Sequence, residues 1–385
     1  MKILCVDIGT GTQDVLLYDS ALDLENGYKL IVPSPTLMVS RRIRAATLRR
    51  APVLITGRLM GGGPSHWAAR DHIQAGLTLY ATPEAARTFD DDLDYVQRQM
   101  GVQVVSEDEA RGLSGDVERI EFKDFDFARL AQALAHFGVE VRRLDALAIA
   151  VFDHGAAPPG YSDRQFRFDY LATHCQAAAC LSALAHRAEA IPASLTRLQA
   201  VAQSAQAEGP DCPLVVMDTA PAAILGALHD PVVARALPGG ALVANVGNFH
   251  CLAFRLRENG IEGFFEHHTG EVVTADSRSA KLDRLIGRLA DGTLQHSDVF
   301  TDRGHGALVY AAEPLPTPRF LAVVGPRRSV LQGSQFNPYW AVPYGDMMNA
   351  GNFGLLAALA DLHPELAEPI NRSLAGQAGA APWES

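Results

Sequence analysis

The apolar positions of this chain fall into short continuous runs bounded by glycine, proline and polar turns, and into longer segments with helical spacing. The continuous runs predict strands over Lys2–Asp7, Gln13–Tyr18, Lys29–Pro33, Pro52–Thr56, Leu77–Tyr80, Gly101–Val105, Arg119–Phe122 and Ala146–Phe152. Helical spacing predicts helices over Ser65–Ala75 and Phe127–Phe137. Strands apolar at successive positions are covered on both faces, so this half reads as a mostly parallel sheet flanked by helices. Gly155-Ala156-Ala157-Pro158-Pro159-Gly160 breaks the pattern, and two Ala-rich helices follow at Tyr170–Glu189 and Ala193–Ala207. A second αβ series is expected from Leu214: a strand at Leu214–Asp218, a helix at Pro221–Leu228, strands at Ala241–Val246, His250–Leu256 and Ile261–Glu266, a helix at Ala280–Leu289, a strand at Phe320–Val324 and a terminal helix at Gly354–Leu362. The 385 residues exceed what one hydrophobic core usually serves. The expected division is 1–155 and 156–385, with the junction between Gly155 and Pro210 and the Ala-rich helices as a connector within the second part.

Composition narrows the function classes. A hydrophobic content of 48% and a charged content of 20% describe a globular protein. A formal net charge of -11 argues against a nucleic-acid or anionic-membrane surface, whose affinity comes from clustered Lys and Arg. Anionic ligands must then be handled locally. The basic run Arg41-Arg42-Ile43-Arg44, followed by Arg49-Arg50, reads as the solvated face of a helix. The start of the chain has no basic, apolar, small-residue signal pattern and no later apolar run is long enough to span a bilayer, so a cytoplasmic location is expected. Five cysteines (Cys5, Cys175, Cys180, Cys212 and Cys251) are odd in number and scattered, and read as reduced thiols.

Candidate chemistry concentrates at Asp7-Ile8-Gly9-Thr10-Gly11-Thr12-Gln13-Asp14, where an apolar strand delivers an acid into a glycine-threonine turn and a second strand returns. Backbone N–H groups around Gly9 and Gly11 can converge on anionic oxygens, Thr10 and Thr12 add hydroxyls, and Asp7 can hold Mg²⁺ through water. Ala241–His250 repeats the pattern: an apolar strand, the polar Asn245, then Gly247 and Asn248 before an apolar return. A further glycine turn lies at Val323-Val324-Gly325-Pro326-Arg327-Arg328. Asp218 would sit at the carboxyl end of a strand, as a general base, a metal-positioning acid or simply a helix cap. Arg58, within a four-glycine strand-to-helix connection, can neutralise a carboxylate or phosphate, or the segment is only a turn. Of the 13 histidines, His154, His267, His268 and His305 lie beside acids. Each reads as structural on its own, whereas His154 and the Glu266-His267-His268 group together could face one cleft and bind substrate or metal. The small-residue stretch Gly345–Gly354 leads into the last helix, with Asn352 as a candidate cap.

Two related phosphate loops and a later glycine turn resemble the ATPase superfamily of actin, Hsp70 chaperones and sugar kinases. The resemblance implies two actin-like (ribonuclease H-like) α/β domains with a cleft between them, ATP and Mg²⁺ as ligands, and adenosine at the turn of Gly325. It implies Asp7 for the metal, Gly9, Thr10, Gly11 and Thr12 for phosphate from one side, and Asn245, Gly247 and Asn248 from the other. The second loop usually carries an acid; Asn245 cannot supply negative charge or act as a base, which bears on hydrolysis more than on nucleotide binding. The activity implied is a phosphotransferase or ATPase acting on a small molecule or a partner protein. The alternatives are a metal-dependent enzyme using His154, Glu266, His267 and His268, or a nucleotide sensor without turnover. Phe152-Asp153-His154-Gly155, Phe265-Glu266-His267-His268-Thr269 and Gly345-Asp346-Met347-Met348, taken with the opening hairpin, also resemble a prokaryotic family labelled as related to pyruvate formate-lyase activating enzyme. That label implies radical chemistry on an iron–sulfur cluster, for which no three cysteines are close in the chain.

Overall fold

The computed structural model describes residues 1–385 apart from 114, 142, 179, 274–278, 378, 381–382 and 384–385. Strand β1 (Lys2–Ile8) turns through Gly9–Gly11 and returns antiparallel as β2 (Thr12–Asp19), which pairs antiparallel with β3 (Tyr28–Pro33). Helix α1 (Pro35–Leu48) follows, its start set by the Ser34 hydroxyl accepting from the Leu37 N–H and by proline in the first turn. Strand β4 (Val53–Gly57), helix α2 (Pro64–Gln74) and strands β5 (Leu79–Ala81), β6 (Gln103–Val104) and β7 (Glu118–Phe122) build a separate parallel sheet of four strands in the order β6-β5-β4-β7. After helix α3 (Phe127–Ala135), strand β8 (Ala146–Val151) lies parallel to β1.

Helix α4 (Asp163–Ala178), strand β9 (Ala185–Arg187), helix α5 (Thr196–Glu208) and strand β10 (Leu214–Asp218) complete a six-stranded sheet, β3-β2-β1-β8-β10-β9. Helix α6 (Thr219–Ala227) then leads to β11 (Ala241–Val246), β12 (His250–Arg257) and β13 (Gly260–His268), an antiparallel meander like the first. Helix α7 (Ala280–Ala290), β14 (Gly306–Val309), β15 (Phe320–Val324) and β16 (Tyr339–Trp340) finish a second six-stranded sheet, β14-β13-β12-β11-β15-β16. Helices α8 (Ala350–Leu362) and α9 (Pro364–Leu374) close the chain's last stretch. In each large sheet a parallel strand is added beside the first strand of the meander, β8 against β1 and β15 against β11.

The structure corrects four readings of the sequence. The first half is two sheets, not one: a three-residue turn after β1 permits only antiparallel return, while β4 to β7 pair among themselves. Tyr170–Glu189 is not one helix. The helix runs from Asp163 to Ala178, residue 179 lies outside the described residues, and Ala185–Arg187 pairs with β10, so tertiary pairing overrides alanine's helix preference. Leu214–Asp218 belongs to the first large sheet rather than to the second series. The helix at Gly354–Leu362 begins at Ala350 and is followed by another at Pro364–Leu374.

Alternation along the strands feeds different cores. Ile3 and Cys5 point to one face of β1 and Leu4, Val6 and Ile8 to the other; Ala241 and Val243 oppose Leu242, Ala244 and Val246 on β11. Ile3, Cys5, Ala241 and Val243 fall in one continuous core with residues of α6 and α8, which joins the two large sheets. The two helices cross at Gly226 and Gly354: a Cβ on Gly226 would strike the Ala350 carbonyl, and one on Gly354 the Ala222 carbonyl.

One ionic cluster spans the same junction. Arg167 of α4, 2% exposed, binds Asp218 at the end of β10 (2.7 and 3.2 Å) and both oxygens of Glu266 in β13 (2.9 and 3.0 Å). Burial pushes the Glu266 carboxyl up to about 7, with Arg167 pulling it down and Asp218 pushing it up. A carboxyl raised in the folded state contributes stability below its unfolded value, near 4.3, that is lost as pH rises through about 7. Replacing Arg167 by Met leaves two buried carboxylates unpaired. The expected cost at pH 8 is about 3–5 kcal/mol, shrinking toward pH 5 as Glu266 protonates. Denaturant titrations at both pH values check this; an equal loss at each, or none, would contradict it.

Candidate functional site

The turns after β1 and β11 are built alike. Gly9 N–H donates to the Thr12 carbonyl at 2.9 Å, and Gly247 N–H donates to the His250 carbonyl at 2.9 Å. Aligning Gly9 with Gly247 pairs Gly11 with Phe249, and the first residue after each meander's third strand holds those two carbonyls: Ser34 N–H donates to Gly11 at 3.1 Å, Thr269 N–H to Phe249 at 2.7 Å. The Ser34 hydroxyl also donates to the Thr10 carbonyl and the Thr269 hydroxyl to that of Gly247. The tips touch across a shared space. A Cβ on Gly11 would lie 2.9 Å from Asn248 Nδ2, so the side-chain-free position is what lets the loops approach.

Between them lies a cavity of about 400 Å³. Asp7, Gly9, Thr10, Gly11 and Thr12 line it from the first large sheet, and Asn245, Gly247, Asn248 and Gly325 from the second. Gly325 has a positive φ of 99°, and a Cβ there would strike Asn245 Oδ1 and the Val246 carbonyl. The first residues of α6 (Thr219, Ala220) and of α8 (Ala350, Gly351) also line the cavity. Two helix N-termini, with their positive dipole ends, therefore abut the same space.

Asp7 sits directly across the hairpin from Asp14, and both are buried. Thr219 Oγ1 donates to Asp7 Oδ1, and Gly351 of α8 packs so closely that a Cβ there would strike the Asp7 carboxylate. Burial pushes Asp7 up to about 7, opposed by the Thr219 hydrogen bond and reinforced by Asp218. Burial likewise pushes Asp14 up to about 8, with the Asp7 charge next in importance. Asp14 Oδ1 has no hydrogen-bond partner. Two adjoining carboxylates, one with an orphan oxygen, are the donor set of a hard divalent cation such as Mg²⁺. Asp14 was not singled out as a site residue from the sequence. The hairpin itself carries the signal, since a three-residue turn brings positions 7 and 14 opposite each other.

Other candidates are placed elsewhere. Asp218 does not line the cavity; its carboxylate is committed to Arg167 and to the cap of α6, accepting from the Ala220 N–H at 3.3 Å. Arg58 donates to Gln203 at 2.6 Å, outside the cavity lining, and the guanidiniums that line it are Arg87 and Arg197. Arg197 is held by Asp124 at 2.8 and 3.0 Å and donates to the Phe152 carbonyl. Glu266 is fully buried against Arg167. His267 donates through Nδ1 to the His268 carbonyl, with Nε2 3.5 Å from Asp302. His154 does line the cavity, where the surrounding protein, then Arg167, Arg197 and His268, push its imidazole down to about 3. His268 points instead toward His250 and His305, neither of which the sequence identified as a partner. Asn352 is not the cap of α8; it lies inside the helix and donates to the Asp14 carbonyl at 2.9 Å. The cysteines do not assemble a cluster site: among the described residues no three of them converge, and Cys5 and Cys251 are buried in β1 and β12. No described helix is long and apolar enough to cross a membrane.

The acid pair makes a pH prediction. A carboxyl whose folded pKa is raised contributes stability present below its unfolded value, near 3.9, and lost as pH rises through the folded value, here about 8 for Asp14. Asp14→Asn removes that loss. In the absence of divalent metal it is expected to stabilise the chain relative to the parent at pH 8.5, on the order of 1 kcal/mol or more, with the difference vanishing near pH 4. Denaturant titration across that range checks it; a variant less stable than the parent at pH 8.5 would contradict the placement.

No curated protein matches the chain. Solved structures do, at low similarity. An exopolyphosphatase-like protein is 11% identical over 84% of this chain and 65% of its own, with a TM-score of 0.26. The ROK hexokinase from Thermus thermophilus is 12% identical over 68% of this chain and 47% of its own, with a TM-score of 0.20. The PPX-GPPA enzyme of Aquifex aeolicus is 10% identical over 98% of this chain and 89% of its own, with a TM-score of 0.24. The chain thus spans less than two thirds of the first two. Residues 60–330 match a family profile whose description reads "Putative pyruvate format-lyase activating enzyme (DUF1786)". This stretch takes in the Phe152–Gly155 and Phe265–Thr269 motifs and most of the chain, which therefore belongs to that family.

Proposed function

We propose that the chain is an ATP- and Mg²⁺-binding phosphotransferase of the actin and sugar-kinase type, with its ligand held between two actin-like lobes. The observation that carries this reading is the matched pair of turns, Gly9–Thr12 and Gly247–His250, made with the same backbone bonds and meeting at Gly11 and Asn248. We place the division between the lobes after Asp218, a reading supported by the membership of β9 and β10 in the first large sheet. Asp7 and Asp14 hold Mg²⁺ through water. Gly9, Thr10, Gly11 and Thr12 bind phosphate from one side, Asn245, Gly247 and Asn248 from the other, and the N-termini of α6 and α8 favour the same negative charge. Gly325, beside Met347 and Met348, receives the adenosine. Asp218 acts as a positioning residue, through Arg167 and the start of α6. Phosphoryl transfer here depends on positioning and charge neutralisation rather than on covalent work by the protein. A small-molecule acceptor suits the part of the cavity lined by His66, Arg87 and Phe89. The radical chemistry that the label implies has no cysteine set to support it among the described residues.

Asn245 favours a second reading, a nucleotide sensor without turnover, and a phosphate-release assay separates the two. The binding claim itself is checked by thermal unfolding. At a hundredfold excess over Kd, Mg²⁺ with ATP is expected to raise Tm by about 5 °C, with a much smaller effect of ATP and chelator. Asp7→Asn should remove the Mg²⁺-dependent part. A Tm indifferent to Mg²⁺–ATP, or an unchanged response in Asp7→Asn, would contradict it.

A further inference from the structure

Beside the second turn lies a cluster of imidazoles that the nucleotide reading does not use. His250 is the first residue of β12, His268 is the last of β13, and the two are directly registered across the strand pair. His305, whose backbone N–H donates to the Glu266 carbonyl at 2.9 Å, enters from the segment before β14. One ring nitrogen from each of the three lies within 4.8 Å of the others. His305 is fully buried, yet neither of its ring nitrogens has a hydrogen-bond partner, and Nε2 of His250 also has none. Orphan buried polar atoms are costly, and their convergence on one point calls for a shared ligand.

We propose that His250, His268 and His305 form a binding site for a borderline divalent cation of the Zn²⁺ class, separate from the carboxylate site at Asp7 and Asp14. Three imidazoles without a carboxylate select Zn²⁺, Co²⁺ or Fe²⁺ over Mg²⁺ or Ca²⁺. Tetrahedral coordination at Zn–N of about 2.0–2.1 Å puts neighbouring nitrogens about 3.3 Å apart, so binding draws these three in from the 4.8 Å within which they lie. The surroundings already fix one ligand. His268 Nδ1 lies 2.8 Å from the Arg303 carbonyl, which only accepts, so Nδ1 carries the hydrogen and Nε2 presents its lone pair. Phe152 stacks on the His250 ring at 3.9 Å, and its own ring carries the Arg167 guanidinium 3.7 Å from its centre. Three protein ligands leave a coordination position open, as in catalytic rather than structural zinc sites. His250 and His154 both line the cavity, so the cluster abuts the proposed phosphate site, with His154 5.7 Å from the His250 ring.

The test uses the full chain stripped with chelator and titrated with Co²⁺ and Zn²⁺, without nucleotide. One equivalent of Co²⁺ per chain is expected, with the intense visible absorption of low-coordinate Co²⁺, displaced by Zn²⁺ and unaffected by excess Mg²⁺. His305→Ala and His268→Ala should each abolish the absorption. Asp7→Asn should leave it intact, so failure of the nucleotide reading and failure of this one are distinguishable. Absence of a Co²⁺ spectrum in the parent chain, or its survival in both histidine variants, would overturn the proposal.

Discussion

The guanidinium of Arg167 is the point on which the two halves of this molecule depend. It comes from the helix between the sheets and takes one carboxylate from each: Asp218 at the end of β10 and Glu266 within β13. None of the three groups is tolerable alone in that environment, since desolvating one ion costs several kcal/mol unless its partners are in place. Geometry, rather than net stabilisation, is what such a cluster supplies. It fixes where β10 ends, and hence where α6 begins with Thr219 against Asp7; it also fixes the strand that ends at His268. Through Phe152 the same guanidinium reaches His250 and the second turn.

The site held in this way is poised against itself. Asp7 and Asp14 face each other with little solvent, and burial pushes both carboxyls toward neutral pH and above. Helix starts, turn N–H groups and Arg87 surround the space with positive potential of modest strength. An anion carrying a divalent cation answers both conditions at once, which neither an anion nor a cation does alone. The tightness at Gly11, Gly325 and Gly351 has the same sense: a side chain at any of the three would fill the cavity's wall or strike Asn248, Asn245 or Asp7. The shared core of α6 and α8, crossing through Gly226 and Gly354, ties these walls together.

Local pattern carried most of the element reading and the repeat of the hairpins, because a strand, a glycine turn and a returning strand are written within one short stretch, residues 2–19 and again 241–257. Partnership over long sequence separation was not legible. Leu214–Asp218 reads equally well as the first strand of a new sheet or the fifth of an old one, since burial on both faces is common to each. Ala185–Arg187 is three residues long and follows an alanine-rich helix, so only its pairing with β10 makes it a strand. Among the histidines the acid-adjacent pattern pointed to His154 and to the Glu266-His267-His268 group. Of these, Glu266 is taken by Arg167 and His267 by the His268 carbonyl and Asp302, while His250 and His305, distant in sequence, meet His268.

The central claim, that two equivalent turns grip a metal-bound polyphosphate, is tested most directly by a crystal structure of the chain with Mg²⁺ and a non-hydrolysable ATP analogue. The account predicts the β- and γ-phosphates between Gly9–Thr12 and Gly247–Asn248, with the metal facing Asp7 and Asp14. An analogue bound elsewhere, or a cavity that stays empty at saturating ligand, would contradict it.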